Sequence, residues 1–320
     1  MIDSFGRDIN YLRISVTDLC NLKCKYCMPE KGVSKKQHHQ IMRLETIEKI
    51  AHAAVKLGIN KIRLTGGEPL IRRGIIDLVS GIAKLKPQGL KDLALTTNGI
   101  LLKDYAGELK KAGLTRVNIS MDSLDPRKYE SITRCGKIAD VWAGIKAAKE
   151  AGLLPIKLNV VLIGGFNDDE IEDFVALTID QDIEVRFIEL MPLGEASQWD
   201  EKHFLSSSKI IKRVPRLIPL PFKGHGSVSR LYKLPNSKGK IGLISPLSSH
   251  FCHYCNRIRI TPDGKLKPCL HSNVEIDIHN YRENDLTRFL LDGIKAKPYR
   301  HHIQSDDFIP VERNMNEIGG

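Results

Sequence analysis

Residues 9–27 read INYLRISVTDLCNLKCKYC, an alternating, β-branched stretch that runs straight into three cysteines at spacings of four and three. In its first half Arg13, Ser15 and Thr17 fall on one face of an extended chain, and Leu12, Ile14 and Val16 on the other. That is a strand with one polar and one apolar face. The second half is a loop that crowds together Cys20, Cys24 and Cys27, in a chain with only 7 cysteines among 320 residues.

Five more stretches repeat the strand pattern, at residues 60–66, 91–98, 115–122, 155–163 and 183–191, with amphipathic stretches such as LETIEKIAHAAVKLG and DVWAGIKAAKEAG between them. Six βα repeats predict an α/β fold with a parallel sheet and helical crossovers, either an open doubly wound sheet or a partial barrel. Neither a glycine-rich dinucleotide turn nor a phosphate loop follows a strand. The period-two phase puts Arg13, Arg63, Lys157 and Arg186 on the polar faces with Thr65, Asn118, Ser120, Asp122, Asn159 and Glu184. Helices must cover the apolar faces, so the polar ones look inward, where a filled barrel carries Val, Ile and Leu. A lumen with cations on four of six strands is a site for a polyanion; helices packed against it would bury those charges unpaired.

A 42% hydrophobic content is enough for a full core, and no apolar run approaches the ~18 residues of a membrane span. The first twenty residues lack a leader pattern, and an odd number of cysteines in two tight groups argues for metal or cluster ligation over disulfides. A reducing, cytoplasmic setting is expected, without membrane anchoring. The net charge of +11 calls for an anionic partner, but the basic residues are scattered and aromatics make up only 6%, too few for base-stacking platforms, so no nucleic-acid partner is expected. After Met191 prolines accumulate (Pro192, Pro215, Pro219, Pro221, Pro235, Pro246) and helical periods thin out. Two units follow: residues 1–215 as the barrel and residues 216–320 as a loop-rich module with a helix near NDLTRFLLDGIKAK and the second cysteine group.

Cysteines at i, i+4 and i+7 beyond a strand end fit a loop wrapped around a compact inorganic core. Fully ligated four-iron clusters take four thiolates, so three leave one iron with an open position for a small molecule. A zinc ion completed by a distant histidine is the alternative. The second group, FCHYCNRIRITPDGKLKPCL, spaces Cys252, Cys255 and Cys269 as C-x2-C-x13-C, and a zinc site completed by His253 or His271 stands level with a cluster on spacing alone. Within it Arg257 and Arg259 alternate on one strand face, aiming two guanidinium forks together, as phosphate or a purine edge requires.

C-x3-C-x-Y-C at Cys20, Cys24, Tyr26 and Cys27, at the end of a first strand, resembles the radical S-adenosylmethionine (SAM) enzymes, and TGGEP at Thr65 to Pro69 looks like their second-strand motif. The resemblance implies a partial (βα)6 TIM-like barrel, a 4Fe–4S cluster whose open iron holds SAM, and a 5′-deoxyadenosyl radical formed on one-electron reduction. From FGRDINYLRISVTDLCNLKCKYCMPE through KIRLTGGEPLIRRG and EVRFIELMPLG to NMNEIGG, the chain resembles one branch almost end to end, the GTP 3′,8-cyclases of molybdenum cofactor biosynthesis. That likeness implies a second 4Fe–4S cluster on Cys252, Cys255 and Cys269, its open iron facing the guanine. It implies SAM contacts at Tyr26, Gly67, Ser120 and Met191, and GTP contacts at Arg13, Arg63, Thr96, Lys157, Arg257, Ile258 and Arg259. Arg13, Arg257 and Arg259 would serve the chemistry: hydrogen abstraction at ribose C3′, closure onto guanine C8, and reduction of the product. The terminal Gly319-Gly320 would reach into the active site. Partners implied are an electron donor, a downstream cyclic pyranopterin monophosphate synthase and a second copy in a homodimer.

A radical SAM enzyme acting on tRNA or a peptide is the nearer rival, disfavoured by the scarcity of aromatics and of C-terminal cysteines; a zinc- or cluster-containing nucleic-acid-binding protein, favoured only by charge, is the farther one. Cys135 reads as a plain thiol in a connecting loop, and His38 and His39 as a solvated segment.

Overall fold

The architecture was obtained as a computed structural model, which describes residues 1–33, 36–222, 224, 226–282, 285–303 and 309–319. Six strands and six helices alternate first: β1 (Tyr11–Ser15), α1 (Leu44–Lys56), β2 (Lys61–Thr65), α2 (Ile75–Ala83), β3 (Asp92–Thr97), α3 (Leu102–Lys111), β4 (Arg116–Ser120), then α4 (Pro126–Thr133) and α5 (Ile138–Glu150), β5 (Ile156–Leu162), α6 (Ile171–Asp180) and β6 (Ile183–Glu189). Each strand lies within the stretch its alternation predicts. The apolar face does pack outward under the helices: Leu12, Ile14, Ile62, Leu64, Val117, Ile119, Ile156 and Leu158 are at most 1% exposed and share one core with Ile47, Ile50, Leu78, Leu109, Val141 and Phe174. Each such side chain contributes about 1.5–3 kcal/mol by leaving water, which pins the strand phase and so the inward direction of the polar face.

The rest of the chain adds α7 (Ser208–Arg213), β7 (Ile218–Pro219), β8 (Arg230–Lys233), β9 (Lys240–Ile244), β10 (Arg257–Ile260), β11 (Lys265–Lys267), β12 (Ile276–Asp277), α8 (Leu286–Lys295) and α9 (Met315–Ile318). These strands join the sheet on both edges, in the order β12-β11-β10-β1-β2-β3-β4-β5-β6-β9-β8-β7. β10 pairs parallel to β1 and β9 parallel to β6, so residues beyond 215 extend the same sheet at each end. Eight parallel strands result, flanked by short antiparallel ones. At the end of β6 the fully buried Glu189 carboxylate accepts backbone N–H groups of Ser207, Leu247 and Ser248. It thereby ties the chain leaving β6 to the chain leaving β9, with its charge satisfied as burial demands.

Local chemistry positions the first cysteine loop. Asp125 caps α4 by accepting from Arg127 N and Lys128 N, with Pro126 in the first turn. The other end of α4 receives the loop: Lys23 N donates to Thr133 O at 3.1 Å and Lys25 N to Ile132 O at 2.9 Å. Arg134, at φ 65°, turns the chain away and donates to Lys23 O and Met28 O. Removing the Asp125 carboxylate would cost about 1 kcal/mol of helix capping and slacken the platform under the thiols.

Candidate active site

The strands curl around one cavity of about 310 Å³, and both cysteine groups line it. Cys20, Cys24 and Cys27 follow the C-terminal end of β1, whereas Cys252 and Cys255 precede the N-terminal end of its parallel neighbour β10, so the two groups enter from opposite ends of these strands, and Arg13, Arg63, Arg257 and Arg259 on β1, β2 and β10 line the same cavity. The sheet register explains the arginines. Arg259 on β10, Arg13 on β1 and Arg63 on β2 are directly level, and one step down Arg257, Tyr11 and Lys61 form the next row. Neighbouring strands are roughly 5 Å apart, so three guanidinium stems are held side by side. Burial, with the adjacent Arg259, lowers Arg13 to about 9, and burial with Arg257 lowers Arg259 to about 10. Such a row is costly to bury, and an anion beside it would offset that cost.

At the first cysteine group the glycines of TGGEP are required by close approach. A Cβ on Gly67 would sit 2.2 Å from Leu19 O, and one on Gly66 2.6 Å from Thr17 O. The turn is held there by Gly67 N to Thr17 O (2.7 Å) and Glu68 N to Leu19 O (2.8 Å). Glu68, 1% exposed, accepts from Leu70 N, Thr97 Oγ1 and Asn98 N; burial nonetheless raises it to about 7. Asp122 accepts from Tyr26 Oη at 2.6 Å and Val161 N at 2.8 Å, and burial lifts it to about 6. Burial pushes Cys20 up to about 11 and Cys27 up to about 12, against an N–H from Leu22 on the first and from Asn316 on the second.

Around the second group the surroundings are cationic. For Cys255 burial raises the thiol, but Lys297 and Arg257 outweigh it and the net shift is downward. Lys297, 4% exposed, is fixed by donating to Arg257 O at 2.8 Å and Pro268 O at 3.0 Å. His271 lines the cavity against His301, ring centroids 5.0 Å apart, while His253 is not among the lining residues and lies against Tyr254.

The donor sets fit iron–sulfur clusters. Each trio opens half-buried onto the cavity, and Cys20, Cys27, Cys252 and Cys255 each accept at least one backbone N–H, the interaction that stabilises cluster thiolates. Among the described residues no three His, Cys, Asp or Glu side chains draw together as closely as a single metal ion needs.

Of the residues the sequence assigns to the site, Tyr26, Gly67, Ser120, Met191, Arg13, Arg63, Thr96, Arg257, Arg259 and the six cysteines line this one cavity. Two do not. Ile258 points outward into the helix-covered core at 0% exposure, because it has the opposite phase to Arg257 and Arg259, so only its backbone faces the lumen. Lys157 lies outside the lining, where its ammonium meets Glu184 at 3.0 Å. Burial and Arg186 hold it down at about 7 against the pull of Glu184. Arg186 does line the cavity, with Nε on Glu184 at 2.5 Å. The C-terminal segment reaches the site: Arg259 donates to Gly319 O at 2.9 Å and Asn316 Nδ2 to Asp18 O at 2.9 Å, and Met315 lines the cavity. Gly319, at φ 91°, leaves no room for a side chain against Ser15 and Thr65, whereas Gly320 lies outside the described residues. Sequence reasoning missed Tyr11, Asn98, Lys297 and the clamp in which Arg313 grips Asp263 and Glu275 ahead of the tail. Only Tyr11 carried a signal, its shared phase with Arg13.

A cavity lined by two thiol trios and by Arg13, Arg63, Arg257 and Arg259 on a curled parallel sheet fits a radical enzyme of the SAM type, and comparison with known proteins agrees. Residues 14–178 match the family described as "Radical SAM superfamily" and residues 183–303 that described as "Molybdenum Cofactor Synthesis C". The chain is 53% identical over 323 residues to the GTP 3′,8-cyclase of Alkaliphilus metalliredigens (strain QYMF), covering 100% of both chains. It is 54% identical to that of Peptoclostridium acidaminophilum, covering 100% of this chain and 98% of the other. The chain belongs to the radical SAM superfamily and, within it, to the GTP 3′,8-cyclase family. Among solved structures, Streptococcus suis SuiB bound to its precursor peptide SuiA superposes with a TM-score of 0.62 at 16% identity over 92% of this chain, which spans 66% of SuiB. Methylornithine synthase gives 0.51 at 17% identity over 66% of this chain and 63% of that one. Both share the fold. Membership of the superfamily brings with it a 4Fe–4S cluster and SAM. No helix among the described residues is long and apolar enough to cross a membrane.

Proposed function

We propose that this chain is a GTP 3′,8-cyclase, converting GTP to 3′,8-cyclo-7,8-dihydro-GTP at the start of molybdenum cofactor synthesis. The observation that carries the reading is the single cavity: two trios of thiols open onto it, with the level row Arg259–Arg13–Arg63 between them. Cys20, Cys24 and Cys27 would hold the cluster to which SAM binds, and Cys252, Cys255 and Cys269 a second cluster facing the purine; the first, with SAM, supplies a hydrogen-abstracting radical.

The chain's own residues do the rest. Gly67 offers bare backbone to SAM because a side chain there would collide with Leu19. Tyr26, fixed through its hydroxyl on Asp122, and Ser120 and Met191 border the same end. Arg13 and Arg63 take up phosphate charge and so fix the ribose, whose closeness to the radical source governs the rate. Arg257 and Arg259 stand beside the second trio, where charge develops on the guanine. Glu184, held at about 2 because Arg186 and Lys157 outweigh the effect of burial, stays ionised and keeps those two cations extended. The Gly319 carbonyl on Arg259 and the Asn316 N–H on Cys27 bring the tail against both halves and exclude water. A one-electron donor, a homodimeric state, a cytoplasmic setting and a downstream synthase that consumes the product complete the reading.

The test is anaerobic reconstitution with iron and sulfide, then dithionite, SAM and GTP, with 5′-deoxyadenosine and the cyclised nucleotide both measured. SAM cleavage with GTP recovered intact would sink the assignment.

A further inference from the structure

One group in the lumen is committed to nothing else. Tyr11 lies on β1 two residues before Arg13, is 6% exposed, lines the cavity, and its hydroxyl finds no hydrogen-bond partner. A buried phenol is normally paired, because burial strips its hydroxyl of water. Its ring is gripped by cations: the Arg63 guanidinium carbon is 5.4 Å from the ring centroid and that of Arg257 is 5.2 Å away. In the register Tyr11 stands directly between Arg257 and Lys61, one step below Arg13. The neighbouring Arg63 Nε is also buried without a partner. A phenol ring between two guanidinium groups keeps them apart and aims them, since each sits over a ring it cannot cross. The hydroxyl is then a neutral donor placed among charged ones.

We propose that Tyr11 is a substrate-binding residue, its ring spacing Arg63 and Arg257 and its hydroxyl donating to an anionic oxygen of the polyphosphate. This rests on the GTP reading for the identity of the substrate, but the contact itself requires only a polyphosphate. Burial raises the phenol's pKa, yet Arg63, Arg13 and Arg257 outweigh it and pull it below the ordinary value, as suits a strengthened donor.

The experiment compares wild type, Tyr11→Phe and Tyr11→Leu in the anaerobically reconstituted enzyme. Titration with inorganic tripolyphosphate reads the anion site alone, and the KM and kcat for GTP and the affinity for SAM are read separately. Tyr11→Phe keeps the ring and loses the hydroxyl; a roughly tenfold weaker tripolyphosphate binding and a matching rise in KM for GTP are expected, with kcat and SAM affinity unchanged. Tyr11→Leu should weaken tripolyphosphate further and lower kcat as well, because Arg63 and Arg257 lose their spacer. Wild-type tripolyphosphate binding in Tyr11→Phe would overturn the proposal, as would an equal loss of SAM affinity, which marks a merely structural role. If wild type binds tripolyphosphate but never turns over GTP, the functional reading fails while the Tyr11 contact is still measured.

Discussion

Around Cys20, Cys24 and Cys27 the ionisable neighbours are carboxylates and the thiols themselves: burial first, then Cys27 and Asp122, push Cys24 well up, and Glu68 adds to the burial of Cys20. Around Cys255 they are Lys297 and Arg257, and the shift has the opposite sign. Burial still raises Cys252 in that trio, but Lys297 pulls against it there too, so the charged neighbours give the cavity an electronegative side and an electropositive side. In the proposed reading that difference would meet the sulfonium of SAM at the first trio and the charge developing on the guanine at the second. Two trios of the same side chain would thereby be given two jobs by the residues around them.

The sharpest way to break that division is to remove one thiol from each trio. Cys24→Ala should abolish 5′-deoxyadenosine formation, whereas Cys255→Ala should retain part of it and lose cyclised product. Equal loss of SAM cleavage in both variants would end the division of labour. Next in size is Arg63→Met, which keeps the stem and deletes one of three level cations. Its guanidinium is almost fully buried and lies in the fields of Arg13, Arg116 and Arg186. GTP binding should weaken by about 2–3 kcal/mol, since charge-assisted hydrogen bonds are lost. The nucleotide-free protein should gain about 1 kcal/mol, visible as a Tm raised by a few degrees, because repulsion in the row is relieved. A lower Tm together with unaltered GTP affinity would mean that the row is structural.

Much of this was readable in the chain because alternation survives folding. Arg13, Arg63, Asn118, Ser120 and Arg186 share the side of the sheet that their phase predicts, since Leu12, Ile62 and Val117 have to face the helices. Phase fixes the face but not the depth. Lys157 has the right face, yet it stands level with Glu184 and pairs there, below the cavity lining. Ile258 shows the converse, a motif position whose phase turns its side chain away. Lys297 could not be found, because its position follows from how α8 packs against β11 and β12, a contact that no spacing along the chain encodes. Nor could the strand order be read beyond residue 191: β9 is joined to β6, and β10 to β1, by hydrogen bonds spanning long sequence separations. Proline content in 192–250 gave no sign that β9, at Lys240–Ile244, pairs parallel to β6 in the same sheet.

A smaller effect sharpens the electronegative side. Asp122 has its folded pKa raised by burial to about 6, above the ordinary 3.8, so its ionised form is disfavoured in the ligand-free protein. The stability penalty is absent below about pH 4, grows as pH rises toward 6 and is constant above it. Binding of the SAM cation runs the other way, since it favours the carboxylate: affinity should be full above pH 6 and fall as pH drops through it. Asp122→Asn should bind SAM more weakly at pH 7.5 and flatten the profile between pH 5 and 7. An unchanged profile in that variant would remove Asp122 from the electrostatics of this end.

The smallest effect is expected at the seventh cysteine, and it tests whether three thiols suffice. Cys135 is exposed and outside the cavity lining, and its Sγ is turned to main-chain oxygens, Asn21 O at 3.6 Å and Thr133 O at 3.7 Å. It follows Arg134, whose left-handed backbone directs the chain away from the loop it supports. A serine there can donate its one O–H to either carbonyl, with a shorter reach, so the Cys135→Ser protein should lie within about 0.5 kcal/mol of wild type in stability. Iron per chain after reconstitution, and the rate of 5′-deoxyadenosine formation, should be unchanged. A loss of iron comparable to that of Cys24→Ala would mean that a fourth thiolate closes the first cluster. An iron with all its positions filled by sulfur has none left for the amino and carboxylate groups of SAM, and the contrast between the two sides of the cavity would lose its chemical purpose.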